Sequence, residues 1–311
     1  MTSMQTDIGA QSKFDQAIST KYLGVASNGA SIYTGNLLTE FCIGSVPNGG
    51  KWYVASTILH AVMQHYSQRH QKDPIAMNCF FMAKTRPGPC VVEISDMKQS
   101  KKGYCLSQAI FRQSKDSKAP ALESAKDYDT EAYTLNITSI LTFGNFAAEE
   151  GVTHIYKPSE PPAREELQPM AWKFMGHAVQ GSADHRSFVR NKGDMGKPEL
   201  RHVVGFKDSR PIDFVSIPYW CDMIVPPAAL LGPTALGGDV WVPTMQMEVL
   251  FKGVPKGKEI FCNFISRYII NGRDEMDGEI WDEDGNLLAL TRHQCLVVPW
   301  TRNTKATKPK L

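Results

Sequence analysis

At 311 residues the chain can hold two ordinary domains or one large one, and its 42% hydrophobic and 21% charged residues are the balance of a soluble globular protein with ample material for a core. A net charge of +2 gives no excess that would draw nucleic acid or an anionic membrane as the main partner. No window of about 18 uninterrupted apolar residues exists, which excludes a conventional transmembrane helix.

Residues 1–19 begin "MTSMQTDIGAQSKFDQ", polar and without the apolar centre of a signal peptide, and read as an N-terminal tail. Residues 20–150 read as a first unit. Within it, "ASIYTGNLLTEFCIG" (30–44) holds two short β-like runs broken at Gly35-Asn36, and "VPNGGKWYVASTILHAVMQHYSQRH" (46–70) turns at Pro47 to Gly50. Val54, Ile58, Leu59, Val62 and Met63 then fall at helical spacing. Three extended runs, 75–85, 90–100 and 104–113, are separated by Pro87-Gly88-Pro89 and Lys101-Lys102-Gly103, as hairpin connections are. The charged, small-residue stretch 114–132 reads as an exposed loop, and 133–146 as a further strand.

Residues 151–170 read as a linker, centred on "YKPSEPPAREELQP" with four prolines and little to bury. In residues 171–300 the order repeats: a β-like run at 201–207, a helix-like segment at 210–232 bent by Pro226-Pro227, then long strands at 244–253, 259–270, 274–285 and 284–298. Residues 301–311 read as a C-terminal tail. Each unit is a helix followed by antiparallel strands, which can bury that helix only by wrapping the sheet around it. The class is therefore α+β. The seven cysteines are odd in number and show no CxxC pair, so neither a disulfide framework nor a zinc site is expected, and a reducing, cytoplasmic location is. The closing Pro309-Lys310-Leu311 differs at one position from the peroxisomal Ser-Lys-Leu address; a solvated terminus explains it equally well.

Four segments, "VPNGGKWYVASTILHAV", "CDMIVPPAAL", "VWVPTMQMEVLFKG" and "GEIWDEDGNLLALTRHQ", in this order and spacing over roughly residues 20–300, resemble the TesB-like acyl-CoA thioesterases. The resemblance implies a double hot-dog fold, two antiparallel sheets each wrapped around a central helix. It implies hydrolysis of an acyl thioester, acyl-CoA or a carrier-bound one, with CoA entering only as part of the substrate and no other cofactor or metal. Hot-dog units commonly associate, so a homo-oligomer is implied as well.

Hydrolysis needs a positioned water, a base and donors for the oxyanion. Asp222 is the expected base: it stands in the apolar run "IPYWCDMIVPPAALL", where an ionised carboxylate is costly unless partnered or working. A carboxylate that caps a nearby amide is the bland alternative. Thr244 matches the family's threonine, which would hold the water, and simple alternation puts it on one strand face with Gln246 and Glu248. The family carries a glutamine nine residues after the aspartate of the last Asp-Gly turn; counting from Asp284 reaches His293. A one-residue bulge would bring Gln294 inward in its place. His293 could hold the water or act as base near neutral pH. Asn48, Gly49 and Gly50, before the first helix, are the expected oxyanion and substrate-binding amides. The first helix carries no carboxylate from Trp52 to Val62, so one site per chain is expected.

Two rival readings are a hot-dog dehydratase or hydratase built on a His/Asp pair, and a binding protein that has kept the fold without the chemistry. No GxSxG elbow, phosphate loop or HExxH appears.

Overall fold

The computed structural model describes residues 12–41, 53–156, 158–170, 176–188, 196–222 and 224–304. The first unit runs α1 (Lys13–Ile18), β1 (Thr20–Val25), β2 (Ser31–Leu37), α2 (Val54–Tyr66), β3 (Asp73–Phe81), β4 (Gly88–Lys98), β5 (Cys105–Ser114) and β6 (Tyr133–Gly144). The second runs β7 (Leu167–Pro169), β8 (Val179–Asp184), β9 (Glu199–Phe206), α3 (Ile217–Asp222), α4 (Pro227–Leu230), β10 (Val240–Trp241), β11 (Thr244–Phe251), β12 (Glu259–Ile270), β13 (Arg273–Asp282), β14 (Leu287–Leu296) and β15 (Val298–Pro299). Every strand pair is antiparallel, as the short connections require.

The two sheets are joined edge to edge. Their order is β1-β2-β4-β5-β6-β3-β11-β14-β13-β12-β9-β8-β7, with β10 and β15 forming a separate ribbon. The seam is the β3–β11 ladder, Gln246 opposite Phe80 through Leu250 opposite Ala76. Each strand there alternates buried and half-exposed residues, so the concave face carries Met77, Cys79, Met247, Val249 and Phe251.

α2 is buried nearly all round, from Val54 and Ala55 through Ile58, Leu59, Ala61 and Val62 to Tyr66, because the first sheet curls about it. Its only polar residues at depth are short: Ser56, and Thr57, whose hydroxyl donates to the Tyr53 carbonyl at 3.2 Å. α3 is shorter but wholly buried. A capping box opens its approach, with Asp213 and Ser216 each accepting the other's backbone N–H.

Residues 13–18 fall in the segment expected to be a tail, yet they form α1, with Phe14, Ala17 and Ile18 in the core. Six residues hold too little periodicity to announce a helix. The Phe14 ring lies 4.9 Å from Phe206 and 5.0 Å from Tyr219 of the second unit. Arg210 stacks on both phenyl rings and pairs with Asp15 and Asp213, so its buried guanidinium ties α1 to the entry of α3. The linker region likewise ends inside the sheet, since Leu167–Pro169 pair with β8. The 114–132 stretch is largely exposed but contributes Ala125 and Tyr128 to a small second core, where the Tyr128 hydroxyl donates to Glu93 at 2.9 Å. All six described cysteines are free and buried. Among the described residues no helix is long and apolar enough to cross a membrane.

Gly278 stands between Phe264 and Thr291 on the concave face. A Cβ there would meet the Phe264 ring at 2.5 Å and the Thr291 methyl at 2.7 Å, with both neighbours buried. Gly278→Ala is therefore expected to destabilise the fold by about 1–3 kcal/mol, read as a lower urea midpoint at unchanged slope. An unchanged midpoint would mean that the ring has room to move.

Candidate active site

Asp222 is the last residue of α3. Pro226 and Pro227 follow, and neither can donate the N–H that a continuing helix needs, so the chain breaks and restarts with Pro227 as the first residue of α4. The carboxylate is therefore held at a helix C-terminus and only 8% exposed, two circumstances that both disfavour an anion. Burial, and behind it the charge of Asp222, raise the thiols of Cys79 on β3 and of the neighbouring Cys221, so the carboxylate lies near both.

β14 alternates cleanly from Ala289 onward, with Thr291, His293 and Cys295 buried and Arg292 and Gln294 exposed. The irregularity in its pairing with β13 falls upstream, between Ile280 and Trp281, and leaves this phase intact. His293 thus faces inward and Gln294 outward. One concave row reads Cys79, Met247, His293, Met276, Ser266, a residue from each of β3, β11, β14, β13 and β12. His293 Nδ1 stands 4.0 Å from Asp222 Oδ1. Its Nε2 is buried and makes no hydrogen bond among the described residues.

Thr244 corrects the simple alternation. Thr244 pairs with Cys295 but Gln246 pairs with Gln294, so Met245 is an extra residue on β11. The bulge leaves Met245 exposed and turns Thr244 to the concave face, away from the side of Gln246 and Glu248. The Thr244 hydroxyl lies 3.7 Å from the Cys295 sulfur, one row along from His293. Asp222, His293 and Thr244 are thus brought onto one face. Asn48, Gly49 and Gly50 lie outside the described residues.

Burial pushes the His293 imidazole down from 6.5 to about 3; a hydrogen bond with the Cys221 backbone opposes this more weakly. The ring is therefore neutral at physiological pH, which suits it to orient a group through hydrogen bonds and not to take up its proton. The same cause raises the thiol of Cys79 to about 12, so it is no nucleophile. Cys79 belongs to the first unit, and nothing in its sequence neighbourhood ties it to Asp222; only the seam does.

The first unit repeats the frame without the polar groups. Its β3–β6 ladder has the same one-residue irregularity, between Pro74 and Ala76. Laid on the β11–β14 ladder, it puts Pro74 at Thr244, Leu141 at His293 and Phe143 at Cys295. α2 has no carboxylate. Among the described residues, one constellation of this kind stands in the chain.

Comparison with known proteins matches residues 38–121 to the acyl-CoA thioesterase N-terminal domain and residues 156–297 to the acyl-CoA thioesterase C-terminal domain. The thioesterase-like protein TwmA of Talaromyces wortmannii is 24% identical over an alignment of 339 positions, covering 95% of each chain. A hot-dog-fold protein of Alicyclobacillus acidocaldarius superposes with a TM-score of 0.71 at 17% identity, over 93% of this chain and 99% of that one. The acyl-CoA thioesterase II TesB2 of Mycobacterium marinum gives 0.68 at 14%, over 93% and 99%. These likenesses carry the double hot-dog fold. With both domain models matched in order across most of its length, the chain belongs to the acyl-CoA thioesterase family, enzymes that hydrolyse thioesters.

Proposed function

We propose that the chain hydrolyses acyl thioesters, acyl-CoA among them, with a water activated by Asp222. The observation that carries this reading is the buried Asp222 carboxylate 4.0 Å from the neutral His293 ring at the seam, with Thr244 turned to the same face by the bulge. The water is held by the Thr244 hydroxyl and the inward-facing imidazole. Its oxygen attacks the thioester carbonyl while Asp222 takes its proton. The tetrahedral intermediate then breaks its C–S bond, and the departing thiolate regains a proton from Asp222, leaving free acid and thiol. The imidazole stays neutral throughout, replacing the family's glutamine as a hydrogen-bonding group. The scheme uses no metal or redox cofactor, and CoA enters with the substrate.

A second reading has one observation in its favour. The structure brings a His and an Asp within 4.0 Å, the pair expected of a hot-dog hydratase, although the two lie far apart in sequence. Hydrolysis remains the better reading because the buried ring is held neutral well below the range a histidine base needs. Addition of water to an enoyl thioester without thiol release would reverse that preference.

Thiol release from a panel of acyl-CoAs is the direct test. Asp222→Asn is expected to lower kcat by roughly 10²–10⁴-fold with the fold intact. His293→Gln keeps a neutral hydrogen-bonding group and should stay within about tenfold of the parent, while His293→Leu should not. Wild-type-like turnover by Asp222→Asn would remove the proposed base.

Burial of His293 also sets a pH dependence of stability. The unfolded ring binds a proton as pH falls through 6.5, whereas the folded ring resists until about 3. Stability is thus fully present above 6.5 and is lost as pH falls toward 3, and His202 acts in the same sense. His293→Gln should relieve about 1–2 kcal/mol of the acid loss near pH 5. Parallel melting-temperature curves for the two proteins between neutral pH and pH 5 would contradict the assignment.

A further inference from the structure

Asp274 has no part in the scheme above, yet it lies on the same concave face. It pairs with Cys295 in the β13–β14 ladder, and Cys295 pairs in turn with Thr244. Asp274 is 1% exposed, and its Oδ2 accepts a bond from the Ser266 hydroxyl at 3.0 Å. Its Oδ1 is buried and makes no hydrogen bond among the described residues. A carboxyl oxygen left in this state is costly to bury and calls for an explanation.

The first unit shows what a purely structural solution looks like. Its β4–β5 ladder carries an irregularity between Asp96 and Lys98 that matches the one between Ser266 and Tyr268 in the β12–β13 ladder. Asp96 therefore occupies the place of Ser266. Residues of the last turn of α2 and just beyond reach over it: Arg69 at 2.8 Å, the Tyr66 hydroxyl at 3.1 Å and His65 at 3.3 Å. That corner is closed by protein groups. In the second unit α3 stops at Asp222 after six residues, and the corresponding corner keeps a carboxyl with one bond.

Resting on the hydrolytic reading of the adjacent site, we propose that Asp274 is a specificity-determining residue that hydrogen-bonds a hydroxyl carried on the acyl chain, so that hydroxyacyl thioesters are preferred over plain acyl ones. His293 and Asp274 are diagonal neighbours on adjacent antiparallel strands, roughly 7–8 Å apart. The hydroxyl therefore sits several carbons from the thioester carbonyl. Met276 and Cys295, both buried and in the rows that His293 and Asp274 occupy, lie in the interval, and on this proposal they would flank the intervening methylenes. Burial raises the Asp274 carboxyl to about 6. Near neutrality it is available in both states, and a hydroxyl serves either, donating to the carboxylate or accepting from the acid.

The test separates binding from turnover. Non-hydrolysable alkyl-CoA thioethers are prepared with and without a hydroxyl, the hydroxyl at successive carbons, and their affinities are measured for wild type, Asp274→Asn and Asp274→Leu. Wild type is expected to bind one hydroxylated thioether at least roughly tenfold more tightly than its plain counterpart. Asp274→Leu should abolish that preference, while Asp274→Asn, of the same size and still hydrogen-bonding, should keep part of it. Equal affinity of wild type for all the thioethers, or for none of them any affinity, overturns the inference, as does a preference that survives in Asp274→Leu. Where Asp274→Leu fails to fold, the wild-type preference and its change in Asp274→Asn decide. A hydroxyl preference in binding without thiol release from the matching thioester would sink the hydrolytic reading and leave this subsite standing.

Discussion

The pairing of β3 with β11 is the constraint on which the site depends. Two units that each wrap a sheet around a helix could be joined by a linker alone and never share a face. Here five residue pairs, from Gln246 with Phe80 to Leu250 with Ala76, weld the sheets into one. Because side chains alternate with period two, the weld also sets which residues meet. Cys79 of the first unit comes into one concave row with Met247 and His293 of the second, beneath the end of α3. A slip of a single residue would turn Met247 outward and put Glu248 in its place. The apolar alternation of β11 works against that slip, since Met247, Val249 and Phe251 are all buried.

The same frame appears twice, and the differences show what one copy was freed to do. The irregularities before Ala76 and before Gln246 match, as do those after Asp96 and after Ser266. A bulge is the device that turns Thr244 inward; in the first unit the corresponding turn presents Pro74, which has neither hydroxyl nor N–H to offer. Leu141 and Phe143 fill positions that are His293 and Cys295 in the second unit. The helices differ in the same sense. α2 runs for 13 residues and closes its sheet corner with Tyr66 and the neighbouring Arg69, whereas α3 gives way at two prolines and ends on Asp222. At these matched positions the first unit carries Pro74 and Leu141 where the second carries Thr244 and His293.

Much of this was legible in the residues, and what escaped did so for identifiable reasons. Hairpin punctuation and alternation located the long strands, while Asp222, an acid in an apolar run, was raised above a capping carboxylate only by the family resemblance. The family's nine-residue spacing from Asp284 pointed to His293 and left Gln294 open to a bulge; the irregularity on that hairpin lies upstream, so the structure turns His293 inward. The bulge at Met245 was hidden because Thr-Met-Gln-Met-Glu alternates as well without a bulge as with one; only pairing to a partner strand exposes the extra residue. α1 was hidden by its length, since six residues supply one buried stripe and no period. Asp274 did leave a signal. The inward phase of β13 is Asp274, Met276, Gly278, Ile280, an acid at the head of an otherwise apolar series. The neighbouring Glu275, Asp277 and Glu279 masked it by making the whole strand look polar.

Several carboxylates of this protein are paired with arginine. Burial pushes Asp96 up, but the hydrogen bond and charge of Arg69 outweigh it and hold the group at about 2. Asp184 is drawn down by its bond to Arg186, and Asp213 grips the buried guanidinium of Arg210. Asp96 and Asp184 are held as anions, and all three carboxylates brace the fold through their guanidinium partners. Asp222 and Asp274 belong to a different environment. The first faces an imidazole that burial keeps neutral, and the second takes one bond from Ser266. Burial raises the Asp274 carboxyl to about 6, so near neutrality it can exchange a proton or a hydrogen bond with something that arrives. Histidine in the glutamine position is compatible with the proposed scheme: buried this deeply it is a neutral hydrogen-bonding group, and Asp222 is the proposed base.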